Sequence, residues 1–132
     1  MSEKLRVLVA DDDRRMVKTI CDILRLKGHE AEAAASGEEA LERVRARRPD
    51  CVLMDVKMSG WSGIDTLRKI KAVHRELPVV LMSAFATEEQ IAEARGLGAA
   101  TLLVKPFEVE ELIGIVEAIG RKLRRADRDE TP

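Results

Sequence analysis

Short apolar runs alternate along the chain with longer segments in which apolar residues recur every three or four positions. Four of the runs are typical of strands buried on both faces of a sheet: LRVLVA (5–10), CVLM (51–54), PVVLMSA (78–84) and ATLLVK (100–105). A fifth run, HEAEAAA (29–35), is less apolar and predicts a weaker edge strand. The pattern therefore predicts five strands.

A segment of helical periodicity follows each predicted strand. The first helix is predicted over residues 14–27, because Gly28 provides a C-terminal stop. Three further helices start at N-capping residues, namely Ser36 and Thr87, each within a capping box, and Ser62. The last helix is predicted from its apolar stripe: Val109, Leu112, Ile113, Val116, Ile119 and Leu123.

The alternation of strands and helices predicts an α/β fold. A parallel sheet with helices on both faces and right-handed crossovers, a doubly wound arrangement, satisfies this order. The length of 132 residues fits one domain, predicted here as residues 1–122. The apolar period is lost after Leu123, so residues 123–132 are predicted to form a charged C-terminal tail that frays.

Composition excludes several classes of partner. Lys and Arg total 23 against 24 for Asp and Glu, so no overall field favours nucleic acid or an anionic membrane surface. No apolar run approaches the roughly 18 residues that a membrane span needs, and the N-terminus does not resemble a signal peptide. The two cysteines, Cys21 and Cys51, are interpreted as buried thiols. We therefore expect a cytoplasmic protein.

Carboxylates follow two of the predicted strands. Asp55 comes directly after a buried strand, and Asp11, Asp12 and Asp13 follow the first strand. Ligands bind at the carboxyl edge of open parallel sheets, where adjacent first and third strands would bring Asp11, Asp12 and Asp55 together. Three such carboxylates repel one another unless they are protonated or bind a metal, and Mg²⁺, or Mn²⁺ in its place, is the natural counter-ion. Asp13 also fits the N-cap of the first helix.

The fourth and fifth strands add a hydroxyl and an ammonium to the same edge. The fourth strand finishes with LMSA, which contains Ser83, and the fifth with LLVK, which ends in Lys105. By itself Ser83 could be a turn residue and Lys105 a solvated strand end. Together with a metal they form a phosphoryl-transfer set, in which Asp55 attacks in line and Lys105 offsets charge on the transferring oxygens. Pro106 can adopt a cis peptide bond with Lys105.

Four motifs in this order resemble the receiver domain of two-component response regulators: VLVADDD, DVKMSGWSGID, LMSA and VKPF. The resemblance extends from about Leu5 to Lys122. It implies a flavodoxin-like fold with strand order 2-1-3-4-5, and a signalling switch rather than an enzyme. Such a switch catalyses its own Mg²⁺-dependent phosphorylation and dephosphorylation.

The resemblance also implies a role for each residue of the site. Asp55 would accept the phosphoryl group, with Ser83 hydrogen-bonded to it and Lys105 paired with it. Asp12 would bind Mg²⁺ directly, Asp11 often through water, and the backbone carbonyl of Lys57 would complete the metal shell. The phosphoryl donor would be a phosphohistidine on a sensor histidine kinase or a histidine phosphotransfer protein.

The first predicted helix offers a docking surface for that helical donor. Its basic side chains are expected to lie beside the acidic site, where such a donor would approach: Arg14, Arg15, Lys18, Arg25 and Lys27. A solvated helix face is the alternative interpretation. We further expect a chain that works without an output domain, as a relay intermediate or by binding a partner directly.

Two residues depart from the family pattern. Ser59 stands where the family usually has proline, which predicts a looser loop after Asp55 without an effect on the chemistry. Leu102 occupies the position, three residues before Lys105, of the aromatic residue that usually switches between two orientations. The sequence contains no Tyr, and its Phe residues, Phe85 and Phe107, lie elsewhere.

The residues two positions after Asp55 and Ser83 predict a long-lived phosphoryl group. These are Lys57 and Phe85, which should overhang the site. A protonated Lys cannot act as a general base and a Phe ring offers no acceptor, so neither activates the attacking water. Receivers with such residues resemble the relay-type members of the family, which lose phosphate slowly.

Two other functions remain open at the level of sequence. Asp11-x-Asp13 resembles the opening motif of haloacid-dehalogenase-type phosphatases, although Arg15 departs from that motif. A pseudo-receiver, a pure interaction module that is never phosphorylated, is the second alternative. His29 and His74 are interpreted as ordinary surface or partly buried residues rather than phosphotransfer histidines.

Overall fold

The computed structural model describes residues 4–129 and contains five strands and five helices in strict alternation. The strands are β1 (Arg6–Ala10), β2 (Glu30–Ala34), β3 (Cys51–Asp55), β4 (Val79–Ser83) and β5 (Thr101–Val104). The helices are α1 (Arg14–Leu26), α2 (Gly37–Ala46), α3 (Gly63–Val73), α4 (Glu88–Gly96) and α5 (Val109–Asp129). Every element that the apolar pattern predicts is present, in the predicted order.

The five strands form one parallel sheet in the order β2-β1-β3-β4-β5. The predicted doubly wound topology and the edge position of β2 are therefore confirmed. In the register between β1 and β3, Ala10 lies opposite Met54. The next residues along the two strands, Asp11 and Asp55, consequently lie side by side at the carboxyl edge.

The sheet has a separate apolar core on each face. Val7 and Val9 of β1 pack in one core with residues of α1 and α5, whereas Leu8 and Ala10 pack in the other with residues of α2 and α3. Successive side chains of a strand point to opposite faces, so both sets must be apolar when both faces are covered. This is the reason why the strands appear in the sequence as continuous apolar runs.

Capping of the helices follows the predictions with one difference. Thr87 and Gln90 form the predicted capping box at the start of α4. At the start of α2, Ser36 accepts a hydrogen bond from the Glu39 N–H as predicted, but the Glu39 carboxylate accepts from the Ala35 N–H, at 3.1 Å, to complete the cap. Glu39 thus reaches one residue beyond the position that a capping box requires.

The last helix is longer than its apolar stripe. α5 continues to Asp129, whereas fraying is predicted after Leu123. The additional segment, residues 124–129, has the sequence RRADRD, and its Arg and Ala residues favour helix without requiring burial. Residues 130–132 of the predicted tail lie outside the described residues, and the boundary between residues 122 and 123 stays a prediction.

Several buried side chains have structural roles. Cys21 and Cys51 are buried free thiols as predicted, and burial raises the pKa of Cys51 to about 12. His29, expected to be at most partly buried, is 5% exposed, and its Nδ1 accepts the Leu5 N–H at 3.1 Å. In the part of the chain that the structure describes, no helix is long and apolar enough to cross a membrane.

Candidate functional site

Three carboxylates meet at the carboxyl edge of the sheet. Asp11 follows β1 and Asp55 ends β3, and these residues are only 2% and 7% exposed, whereas Asp12 is exposed to solvent. One oxygen from each of the three lies within 4.8 Å of the others. The structure thus brings together the three aspartates that strand order predicts. Asp13 instead caps α1, where its carboxylate accepts the Met16 N–H.

Lys105 joins the two buried carboxylates. Its Nζ lies 3.1 Å from Asp11 Oδ2 and 3.4 Å from Asp55 Oδ1. Lys105 follows β5, the strand beyond β4, and its long side chain reaches back to the centre of the edge. The Lys105–Pro106 peptide bond is cis, as the sequence allows.

The charges at this edge perturb one another. Burial raises the pKa of Asp55 above its ordinary value and the neighbouring Asp11 charge adds to this, while Lys105 and the Lys57 N–H oppose it. For Lys105, burial disfavours the ammonium, but its hydrogen bond with Asp11 and the two carboxylate charges outweigh burial and raise its pKa. The Lys105 ammonium therefore stays protonated at neutral pH, and both Asp11 and Asp55 pair with it.

Ser83 lies at the same edge but is engaged with its own loop. The buried hydroxyl donates to the Phe85 carbonyl at 2.6 Å and accepts from the Phe85 N–H at 3.2 Å. The Phe85 ring itself is largely in solvent, since the residue is 77% exposed. A group that bound the Ser83 hydroxyl would have to compete with this short turn.

A cavity of about 420 Å³ unites the predicted site. Its walls contain all of the residues predicted to take part in the chemistry: Asp11, Asp12, Asp55, Lys57, Ser83, Phe85 and Lys105. Gln90 also lines the cavity, which the sequence did not indicate. The capping box places Gln90 in the first turn of α4, but only the packing of α4 against the sheet shows that this turn faces the site.

The loop between β3 and α3, residues 56–62, approaches the aspartates from one side. The Lys57 N–H donates to the Asp55 carboxylate, while the Lys57 side chain is exposed. The Ser59 hydroxyl lies 3.4 Å from Asp12 Oδ2 and donates to it. Ser59 therefore contacts a predicted metal ligand, and the expectation that it affects only the stiffness of the loop stays a prediction.

Gly63 permits the close approach of α3 to the end of β3. Ser62 caps the helix as predicted, and the Gly63 N–H donates to the Val56 carbonyl at 2.7 Å. A Cβ at Gly63 would clash with the Asp55 carbonyl oxygen and with Val56 Cα. Glycine is therefore required where the helix touches the backbone that carries Asp55.

The basic residues of α1 are spread along its length. Arg14 and Lys18 line a second cavity that includes Asp11, and Lys18 pairs with Asp22 at 2.8 Å. Arg15 is exposed in the first turn. The other two predicted docking residues, Arg25 and Lys27, lie at the opposite end of the helix, roughly 16 Å or more along its axis from Arg14. The expectation that these two lie beside the acidic site was therefore wrong.

Leu102 is a packing residue. It is half-buried on β5, opposite Leu81 of β4, and packs against the core that α2 and α3 cover. An aliphatic side chain in this place contributes to the core.

The raised pKa of Asp55 predicts that its negative charge costs stability. The unfavourable contribution is complete above the folded-state pKa and disappears as the pH falls below the unfolded value of about 3.9. Asp55→Asn is therefore expected to raise the free energy of unfolding of the metal-free protein at pH 7, and this gain should shrink on acidification. Urea unfolding of both proteins at pH 7 and near pH 4 measures it.

Glu42→Gln is the matched control, because Glu42 is an exposed carboxylate on α2, away from the aspartates. Its removal should leave stability nearly unchanged at both pH values. A loss of stability in Asp55→Asn at pH 7 would contradict the prediction and would show that the Lys105 ion pair outweighs burial and the repulsion from Asp11.

Comparison with known proteins agrees with this arrangement. The family model described as "Response regulator receiver domain" matches residues 7–117. Sporulation initiation phosphotransferase F of Bacillus subtilis is 34% identical over 112 residues, which cover 85% of this chain and 89% of that protein. Transcriptional regulatory protein PdtaR of Mycobacterium tuberculosis is 38% identical over 120 residues, 90% of this chain. The match covers only 58% of PdtaR, so the chain spans little more than half of that relative.

Solved structures share the fold. Chemotaxis protein CheY4 of Vibrio cholerae superimposes with a TM-score of 0.84 at 27% identity, covering 89% of this chain and 99% of that one. The receiver domain of the Francisella response regulator 1452 gives a TM-score of 0.85 at 29% identity, covering 91% and 99%. The predicted flavodoxin-like fold is confirmed. The chain belongs to the response regulator receiver domain family.

Proposed function

We propose that this receiver domain is a phosphoacceptor switch of a two-component system or phosphorelay, in which Asp55 receives a phosphoryl group from a phosphohistidine. The observation that carries the proposal is the position of the Lys105 ammonium, 3.4 Å from Asp55 and 3.1 Å from Asp11 within one cavity. Transfer of a phosphoryl group to a carboxylate oxygen requires two protein groups: the nucleophilic carboxylate itself and a fixed positive charge.

The proposed transfer forms a bond between an Asp55 oxygen and phosphorus as the bond from phosphorus to the donor nitrogen breaks. The electron pair of the broken bond returns to the imidazole of the donor. Lys105 offsets the charge on the transferring oxygens throughout. Ser83 would leave its turn with Phe85 and donate its hydroxyl to a phosphoryl oxygen of the product.

The three aspartates fit a divalent cation. Their oxygens lie within 4.8 Å of one another, and Lys105 leaves an excess of negative charge among them. Asp11, Asp12 and Asp55 would hold Mg²⁺, or Mn²⁺, together with the Lys57 carbonyl, because hard cations select oxygen ligands. When bound, the cation would neutralise charge on the nucleophile and on the phosphoryl oxygens.

The two alternatives differ in what they predict. A phosphatase would turn over phosphomonoesters, but its second motif carboxylate, Asp13, is engaged as the N-cap of α1. A pseudo-receiver would not be modified at all. The proposed role of Asp55 as phosphoacceptor fits neither alternative. We propose the cytoplasm as the location of the protein, because buried free thiols are typical of a reducing compartment.

The test is incubation with acetyl phosphate followed by intact mass spectrometry. We expect a single phosphoryl mass gain with Mg²⁺ and none in the presence of a chelator, because repulsion among the carboxylates otherwise opposes approach of the donor. No gain under any condition would support the pseudo-receiver. A gain of equal size in the chelator would overturn the metal assignment.

We propose that the N-terminal part of α1, with Arg14, Arg15 and Lys18, docks the phosphohistidine donor. Arg14 and Arg15 are exposed directly after the aspartates, so a helical donor with acidic side chains could reach the site across them. The double charge reversal of Arg15 and Lys18 to Glu should slow phosphotransfer from the cognate kinase about tenfold through lost electrostatic steering. Stopped-flow or gel-based transfer kinetics at low salt measure the change.

The matched control is the double reversal of Arg121 and Lys122 to Glu, which changes the same charge on exposed positions of α5. It should leave transfer nearly unchanged, and neither double variant should alter labelling by acetyl phosphate. Equal slowing of the kinase reaction and the acetyl phosphate reaction in the α1 variant would defeat the docking proposal.

A further inference from the structure

The loop between β3 and α3 is attached to a helix that takes no other part in the site. The Trp61 N–H in this loop donates to Glu38 Oε1 at 3.2 Å, and Glu38 belongs to the first turn of α2. The same carboxylate covers Gly60, since a Cβ at Gly60 would lie 2.8 Å from Glu38 Oε2. One exposed side chain of α2 thus lies against two consecutive residues of the loop.

The residues of this loop explain why an external contact would help to order it. Ser59 and Gly60 are exposed, and Gly60 has a φ of +80°, which other residues rarely adopt. Ordering such residues costs backbone conformational entropy. The hydroxyl of Ser59 contributes one long contact with Asp12, at 3.4 Å. The bond to Glu38 is shorter, at 3.2 Å, and comes from a helix that does not line the aspartate cavity.

We infer that Glu38 is a positioning residue, which anchors the loop so that the Lys57 backbone is presented to the aspartates. The inference rests on the proposed function, in which the Lys57 carbonyl contributes to the cation site. Side chains that orient ligands without binding the metal themselves affect its affinity because they supply preorganisation. The rest of the packing agrees, since Gly37 lies tightly against Thr66 and Trp61 and so fixes the start of α2 over the loop.

Two substitutions at Glu38 separate anchoring from simple charge attraction. Glu38→Ala removes both the acceptor and the charge, whereas Glu38→Gln removes the charge but keeps an oxygen that can accept the Trp61 N–H. Glu42→Ala is the matched control, because Glu42 is an exposed carboxylate one turn further along α2. Far-UV circular dichroism should be unchanged in all three variants.

The first measurement is calorimetric titration of the metal-free full chain with MgCl₂. Glu38→Ala is expected to bind about fivefold more weakly, the equivalent of one ordinary hydrogen bond, while Glu38→Gln and Glu42→Ala stay within about twofold of the unmodified chain. Equal affinities of Glu38→Ala and Glu42→Ala would overturn the inference. So would equal weakening by Glu38→Ala and Glu38→Gln, because that result assigns the effect to charge alone.

The second measurement does not depend on the metal. Hydrogen exchange of the Trp61 amide in the metal-free protein should be faster in Glu38→Ala and unchanged in Glu42→Ala, and equal exchange rates would overturn the anchor. Failure of the proposed function looks different, because the unmodified chain would then bind no Mg²⁺ through Asp12 and Asp55. In that event the exchange of the Trp61 amide still decides whether Glu38 holds the loop.

Discussion

Replacement of Asp55 by asparagine is expected to abolish phosphorylation by acetyl phosphate and by the cognate donor. The amide lacks the negative charge and the nucleophilic oxygen of the carboxylate, and Lys105 remains paired with Asp11 at 3.1 Å. The change preserves the shape of the side chain, and the raised pKa of Asp55 indicates that the folded protein tolerates a neutral group there. Intact mass spectrometry after incubation with Mg²⁺ measures the loss.

Asp65→Asn provides the control, because Asp65 lies in the first turn of α3 with an exposed side chain. This variant should be labelled like the unmodified chain. A phosphoryl mass gain that survives in Asp55→Asn would contradict the assignment, and peptide mapping would then identify the residue that accepts the group. Labelling at Asp11 or Asp12 would identify a residue directly after β1 as the nucleophile.

The second large effect concerns the lifetime of the phosphoryl group. We expect slow loss from the unmodified chain and loss about a hundredfold faster in the double variant of Lys57→Asn with Phe85→Glu, where each tenfold gain corresponds to about 1.4 kcal/mol. Both residues line the cavity of the site, and neither offers an acceptor for an attacking water. An amide and a carboxylate in their places can hold and polarise that water.

The geometry modifies the physical reason for slow loss. The Phe85 residue is 77% exposed, so its ring borders the cavity rather than filling it, and the expectation that it overhangs the site is only partly met. The absence of a water-activating group, more than steric exclusion, would then be the reason for the slow loss that we expect. Decay of purified phosphoprotein after removal of the donor gives the rate.

The control for this pair is Leu26→Glu with Lys27→Asn, which makes the same types of change at the far end of α1. Leu26 is 84% exposed, so the substitutions should not disturb the core. The control variant should lose phosphate at the rate of the unmodified chain. Rapid loss from the unmodified chain, or equal rates in both double variants, would defeat the proposed role of Lys57 and Phe85.

Local patterns determined the elements and the candidate carboxylates. The strands of a sheet covered on both faces must be apolar throughout, and this requirement made β1, β3 and β4 visible as continuous runs. Asp11 and Asp55 were conspicuous because a charged residue interrupts or ends such an apolar run and marks the carboxyl edge of the sheet, where ligands bind. The order of the elements restricted the sheet to few topologies, so the meeting of Asp11 and Asp55 at one edge followed from the alternation of strands and helices.

Other features depended on contacts between residues distant in sequence. His29 is buried because β1 and β2 are adjacent, which places its Nδ1 against the Leu5 N–H. Gln90 faces the cavity because of the way α4 packs, and Ser59 meets Asp12 because two loops converge at the edge. Periodicity describes one element at a time, so it contains no information about which side chains meet across such a junction.

The sequence by itself determined the type and order of the elements and the presence of aspartates, a serine and a lysine at four strand ends. Only the tertiary structure decided how these groups are paired: Lys105 with Asp11 and Asp55, Ser83 with Phe85, and Glu38 with Trp61. The physical reason is that burial patterns depend on apolar surface, which recurs along the chain, whereas hydrogen bonds and ion pairs depend on distances of about 3 Å between particular atoms. Those distances exist only after the helices and loops have packed against the sheet.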